Sequence, residues 1–299
     1  MMPVLLMLTL LASVVDDVRT LIARNDLARA ETVANSYRAR SGGTSELAAA
    51  LSWLARANLA AKHYDQADRL AGEAAQMSEA LLRTRKLDAD PWLPTAVGAA
   101  IEVHAQSLGA RGERAEAVQY LNEQLARYRT TSIAERIRKN INLLSLEGKR
   151  APALEVQEHF GPQPKPLAAL RGHPVLLFFW AHWCPDCKAM APDLAALIAK
   201  YSPRGLVAVA PTRLYGYVGG GDPAPPEVER QYIGRVRNQF YAPLAAVPVP
   251  LSSANFLAYG ASTTPTLVLI DAAGIVRYYH PGAAPPAELA GRIEKLLAK

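Results

Sequence analysis

Cys184 and Cys187 are the only cysteines in 299 residues, and two residues separate them in Trp180-Ala181-His182-Trp183-Cys184-Pro185-Asp186-Cys187-Lys188. At that spacing one helical turn brings the second sulfur to the first, so the pair can cycle between dithiol and disulfide. The thiolate is the attacking species in such exchange. Cys184 is expected to be the exposed attacking sulfur and Cys187, one turn deeper, the sulfur that resolves the mixed disulfide. Two other readings stay open on spacing alone. One is half of a zinc site, which needs about four ligands, and none of the six histidines has the spacing to complete it. The other is a purely structural disulfide.

The elements that hold the pair follow from the flanking pattern. Pro174-Val175-Leu176-Leu177-Phe178-Phe179 is an apolar run of strand length, and Met190, Leu194, Leu197 and Ile198 recur at helical spacing behind Cys187. The cysteines therefore stand where a strand turns into a helix. The first amides of a helix lack internal partners and carry partial positive charge, which favours ionisation of a thiol placed there. Gly205 to Ala210 reads as a second strand, parallel to the first because a helix makes the crossover. Thr266 to Ile270 and Ile275 to His280, joined by Asp271-Ala272-Ala273-Gly274, form a hairpin, and Leu289, Ile293, Leu296 and Leu297 mark a last amphipathic helix behind Pro285-Pro286.

From Ala151 onward the chain resembles the thioredoxin superfamily, in particular the TlpA-like thiol-disulfide oxidoreductases of bacterial envelopes. The likeness rests on Ala151-Pro152, Leu170-Arg171-Gly172, Phe179-Trp180-Ala181 leading into Trp183-Cys184-Pro185-Asp186-Cys187, Pro192, and Thr263-Thr264-Pro265-Thr266-Leu267-Val268-Leu269-Ile270-Asp271. It implies a cis bond before Pro265, the one bond type for which cis costs little, facing the cysteine turn. Trp183, Thr264 and Pro265 would then bind substrate, the backbone of Thr264 pairing with an extended segment as a strand does. Pro185, Asp186, Lys188 and His182 would tune the pair. No cofactor and no metal are implied. Substrates would be protein dithiols or disulfides, with electrons arriving from an upstream dithiol protein.

Two departures bear on mechanism. The family's buried acid six residues before the first cysteine is replaced by Phe178, and the glutamate that some relatives carry three residues after the second is replaced by Met190. Cys187 must then lose its proton by another route, through water, Lys188 or His182, the last expected as a partly exposed neighbour rather than a base. Asp186 sets negative charge beside Cys184 and opposes its thiolate. A strong oxidase owes its potential to a stabilised reduced form, so the expected direction is that of a reductase. A peroxiredoxin is the nearest alternative enzyme, but its pattern calls for Thr or Ser at Ala181 and Pro at Leu177.

The rest of the chain is ordinary globular sequence, half apolar and one fifth charged, with a spread net charge of +6. Basic groups such as Arg83-Thr84-Arg85-Lys86 lack interleaved aromatics and read as solvated faces rather than nucleic-acid sites. Residues 1–15 are apolar but too short to span a bilayer. They suit a signal-peptide core with Ala12-Ser13-Val14 as cleavage site, although no Lys or Arg precedes them; a first buried helix is the alternative reading. The expected location is periplasmic or extracytoplasmic, without a stable membrane span, a cytoplasmic one being the alternative.

Residues 16–148 are rich in Ala, Leu, Arg and Glu. Short polar turns open onto alanine-bearing helices at Asn25-Asp26-Leu27-Ala28-Arg29-Ala30, His63-Tyr64-Asp65-Gln66-Ala67 and Gly112-Glu113-Arg114-Ala115-Glu116-Ala117. This resembles a divergent tetratricopeptide (TPR-like) array of helical hairpins. The expected fold is therefore an all-α helical-hairpin domain, 16–148, followed by an α/β thioredoxin-like domain, 149–299. A partner on the helical domain is one expectation, and a scaffold in which the second domain is accessory is the non-enzyme alternative. Residues 211–250 exceed the minimal fold; Gly219-Gly220-Gly221-Asp222-Pro223 reads as a turn rather than a phosphate loop, and Tyr215, Tyr217, Tyr232 and Tyr241 either line a groove or pack.

Overall fold

The structure, a computed structural model, describes residues 13–298. Contacts divide the described chain into two compact units that meet between Ile133 and Ala134. Most of the segment read as a leader lies outside the described residues; Val14 and Val15 are described, and they open the first helix with both side chains buried. Among the described residues no helix is long and apolar enough to cross a membrane.

The first unit is helical: α1 (Val14–Ala23), α2 (Leu27–Ser41), α3 (Ser45–Ala60), α4 (Tyr64–Leu82), α5 (Leu93–Ala110) and α6 (Arg114–Tyr128). The three turns singled out in the sequence join α1 to α2, α3 to α4 and α5 to α6, and they share one local solution. Asn25, Lys62 and Gly112 each adopt a positive φ two residues before the next helix. The following amide then reaches back five residues, Asp26 N–H to Leu21 O, His63 N–H to Asn58 O and Glu113 N–H to Leu108 O. This is the Schellman closure, which satisfies the last carbonyls of a helix and reverses the chain. Ala30, Ala67 and Ala117, each the fourth residue of the second helix, are fully buried, so these positions pack with only a methyl.

The second unit opens with α7 (Ala134–Ser145), followed by β1 (His159–Phe160), β2 (Val175–Phe179), α8 (Pro185–Tyr201), β3 (Val207–Val209), α9 (Pro226–Phe240), β4 (Val249–Pro250), α10 (Ser253–Tyr259), β5 (Thr266–Ile270), β6 (Val276–Pro281) and α11 (Pro286–Leu297). The central sheet runs β3-β2-β5-β6, with β2 and β3 parallel and the other neighbours antiparallel. Strand alternation sorts the apolar run into two cores. Leu176, Phe178, Leu267 and Leu269 face the layer of α8, α9 and α11, whereas Val175, Leu177, Phe179, Val268 and Ile270 face Phe256 and Tyr259 of α10. The helical segment α7 packs on α10 and β6. Its backbone at Arg138 and Lys139 runs so close to Gly260 that a side chain there would collide with it.

Candidate active site

The sheet register sets the site. Phe179, last in β2, pairs with Thr266, first in β5, so the segments that leave these two residues emerge side by side at one end of the sheet. One carries Trp180 to Cys184 into α8; the other is Ala261 to Pro265.

Cys184 is the N-cap of α8 and is bonded to Cys187 in a disulfide. Both sulfurs are thus used by each other. The Cys187 N–H donates to Cys184 Sγ at 3.0 Å. That donor is one of the helix amides without an internal acceptor, and once the bond is reduced it faces the Cys184 sulfur and stabilises negative charge on it. Pro185 fills the first helical position, where no N–H is missed. Thr264 and Pro265 are joined by a cis peptide bond. Thr264 O lies 3.4 Å from Cys184 Sγ, a contact in the disulfide that becomes an S–H···O approach in the thiol. The expected exposure of Cys184 is corrected: the residue is 1% exposed, because the Thr264 carbonyl lies over its sulfur and the core closes behind it. Trp183 beside it is 45% exposed and forms the open rim.

The remaining sequence-named residues divide. Asp186 is exposed in the first turn of α8. Lys188 lays its ammonium over the Phe240 ring at 4.6 Å. His182 is not the partly exposed neighbour that was expected. It is 1% exposed, with Nε2 at 3.2 Å from Oε1 of Glu229, itself 0% exposed. The two stand at ion-pair distance but out of line for a hydrogen bond, and neither ring nitrogen has a hydrogen-bond partner among the described residues. Tyr215, Tyr217 and Tyr232 enclose the imidazole edge-on, with centroids 5.6, 5.4 and 5.3 Å away. Burial, helped by the Lys188 charge and opposed by Glu229, lowers the His182 pKa below the usual range. The ring is then neutral at neutral pH and able to accept a proton.

Sequence reading missed Glu229. It lies in the first turn of α9, and its two oxygens accept the Tyr215 and Gly216 amides at 2.6 and 2.7 Å. Its signal was present: Glu229, Ile233 and Val236 fall at helical spacing and are the buried residues of α9, so an acid occupies the apolar stripe. The tyrosines of the insertion pack rather than line an open groove; Tyr241 lies tilted against Trp180 at 4.4 Å, and Tyr215 meets Trp183 at 5.5 Å. Trp180 fastens the start of this insertion, donating from Nε1 to Ala210 O, while the Thr212 hydroxyl donates to Trp180 O. Phe178 and Met190, standing where relatives carry acids, belong to or pack on the apolar core.

Residues 166–297 match the family described as thioredoxin-like domain. A 75-residue stretch is 35% identical to the thiol-disulfide oxidoreductase ResA of Oceanobacillus iheyensis, covering 24% of this chain and 39% of that protein. The chain thus spans about two fifths of that relative's length. Among solved structures, a thiol:disulfide interchange protein of Chlorobium tepidum is similar at 21% identity and a TM-score of 0.39, over 50% of this chain and 97% of that one. The exposed lipoprotein thioredoxin Etrx1 of Streptococcus pneumoniae is similar at 24% identity and a TM-score of 0.37, over 46% and 98%. With its strand order, its cysteine turn at the start of α8 and its match to the family, the segment from residue 166 to 297 is a thioredoxin-like domain.

Proposed function

We propose that the protein is a thiol-disulfide oxidoreductase that exchanges disulfides with protein thiols through Cys184 and Cys187. The observation that carries this reading is the disulfide at the N-terminus of α8, its first sulfur between the Cys187 amide and the Thr264 carbonyl. In the reductase direction the Cys184 thiolate attacks a substrate disulfide, and Cys187 then displaces the substrate. Trp183 and the Thr264-Pro265 segment are the proposed substrate contacts. The exposed indole offers apolar surface, and the backbone beside the sulfur offers strand-like pairing. Asp186 supports the reducing direction, since its charge in the first turn opposes the thiolate. The proposed partners are protein disulfides and a dithiol electron donor, in an extracytoplasmic compartment. The helical hairpins, read as a divergent TPR-like array, are proposed as a platform for a further protein.

The test is trapping. Cys187→Ala should hold a mixed disulfide on Cys184 when the reduced protein meets an oxidised protein substrate, and Cys184→Ala should hold none. Equal inertness of both thiols to alkylation in the reduced native protein would overturn the reading. Equilibration against glutathione tests direction: a couple as oxidising as the strong periplasmic oxidases removes the reductase assignment.

A further inference from the structure

Cys187 is 0% exposed, so its thiol sits in an apolar core and needs a base before it can act. The strand before it offers Phe178 and the helix after it Met190, neither of which titrates. His182 stands in the same turn, two residues before Cys184, and α9 brings Glu229 to within 3.2 Å of its ring. Ala181 O accepts the Cys184 N–H at 3.1 Å, closing a turn with His182 and Trp183 at its centre. Tyr215 and Tyr232, which enclose the imidazole, pack on the core cluster that contains both cysteines. Lys188, next to Cys187 in the chain, is near enough for its charge to act on the ring.

A buried acid and a buried imidazole with both nitrogens unpartnered are costly to maintain for packing alone. We propose that the His182–Glu229 couple accepts and stores the proton of Cys187 during thiol–disulfide exchange, with α9 of the insertion supplying the buried acid that is missing at Phe178 and Met190. The inference rests on the oxidoreductase reading.

The Cys184 thiolate attacks one sulfur of a substrate disulfide; a mixed disulfide forms and the substrate's other sulfur leaves as a thiolate. Cys187 S–H passes its proton to the couple, and its thiolate attacks Cys184 Sγ. The internal disulfide forms, the mixed disulfide breaks, and the second substrate thiolate takes up the stored proton. Two electrons pass to the substrate. The two protons of its thiols are matched by the one Cys184 gave to solvent and the one from Cys187. Besides Glu229 of α9, the titratable groups facing the imidazole are Lys188 of α8, Tyr232 of α9, and Tyr215 and Tyr217 of the preceding segment, with the Arg213 guanidinium on the Tyr215 ring.

Reduced full-length protein mixed rapidly with 5,5′-dithiobis(2-nitrobenzoate) releases two coloured thiolates, the first reporting attack by Cys184 and the second resolution by Cys187. In Glu229→Gln the ratio of second to first rate should fall by about 10- to 100-fold near pH 7 and recover as pH rises toward the thiol's own pKa. A Glu229→Gln ratio that follows the parent's at every pH overturns the proposal while leaving the oxidoreductase reading intact. A parent protein with no first phase overturns that reading instead. Should Glu229→Gln not fold, the parent decides the matter by nuclear magnetic resonance: the pH titration of the His182 ring should move between the oxidised and reduced protein, and identical titrations overturn the proposal.

Discussion

A histidine meets a carboxylate in each unit, and the two pairs live in opposite surroundings. In the helical unit, His104 Nδ1 of α5 lies 2.6 Å from Asp68 Oδ1 of α4, and Arg111 holds the other Asp68 oxygen at 3.2 Å. The side chains there are 38% and 25% exposed, so water shares the charge. In the thioredoxin-like unit, His182 and Glu229 are 1% and 0% exposed, and the carboxylate is held by two backbone amides instead of a guanidinium. An imidazole and a carboxylate thus form a solvated link between neighbouring helices in one place and a sealed node in the other. Removing solvent makes the second pair expensive to break and gives its protonation state consequences for the structure around it.

The contrast is tested most severely by deleting the acid. Glu229→Ala leaves the part-buried Tyr215 and Gly216 amides without their acceptor and should lower unfolding free energy by about 2–6 kcal/mol, about 1–3 for each orphaned amide. Asp68→Ala, in the solvated pair, should cost about 1 kcal/mol or less. Urea unfolding followed by tryptophan fluorescence and circular dichroism measures both, and equal losses would dissolve the distinction. Acid should act next. His182 has a lowered pKa in the folded state, so the unfolded chain binds more protons as pH falls through the ordinary histidine range, and stability declines in that direction. The contribution is fully present above the unfolded value of about 6.5. It is lost as pH falls through the folded value. His182→Gln should flatten that part of the stability–pH curve; an unchanged slope would mean that burial does not govern the ring.

A smaller effect concerns the charge that lies outside the sealed node. Asp186→Asn removes an exposed charge from the first turn of α8. It should make the cysteine couple more oxidising, shifting its equilibrium with glutathione by about two- to fivefold, the scale of about 0.5–1 kcal/mol for a charge at a helix end. No shift would show that water screens Asp186 as fully as it does the His104 pair. Smallest of all, Arg111→Ala should change stability by about 0.5 kcal/mol or less, since its pair is solvated. A loss as large as that of Glu229→Ala would show that exposure is no guide here.

Much of the thioredoxin-like unit was legible because it is written in short-range pattern. The run Val175 to Phe179 alternates between two cores, and Cys184-Pro185 can only open a helix. The hairpin turns were legible for the same reason, as each needs only one left-handed residue and a small side chain in the next helix. Other features were not. Helical composition continues through α7, yet that helix lies against α10 and β6, a choice made by the close approach to Gly260. His182 reads as a polar residue near the surface until three tyrosines and Glu229 of the insertion close over it. Cys184 reads as exposed until a carbonyl 80 residues away is laid on its sulfur.

The chain alone determined that two thiols would stand at a helix start after a buried strand, because backbone sterics, capping and apolar spacing act between residues close in sequence. Only the tertiary structure decided what meets those thiols and their neighbours: the Thr264 carbonyl from the start of β5, and the acid that α9 carries into the core beside His182. Such contacts arise from strand register and from the exclusion of water, and both belong to the packed whole rather than to any one stretch of residues.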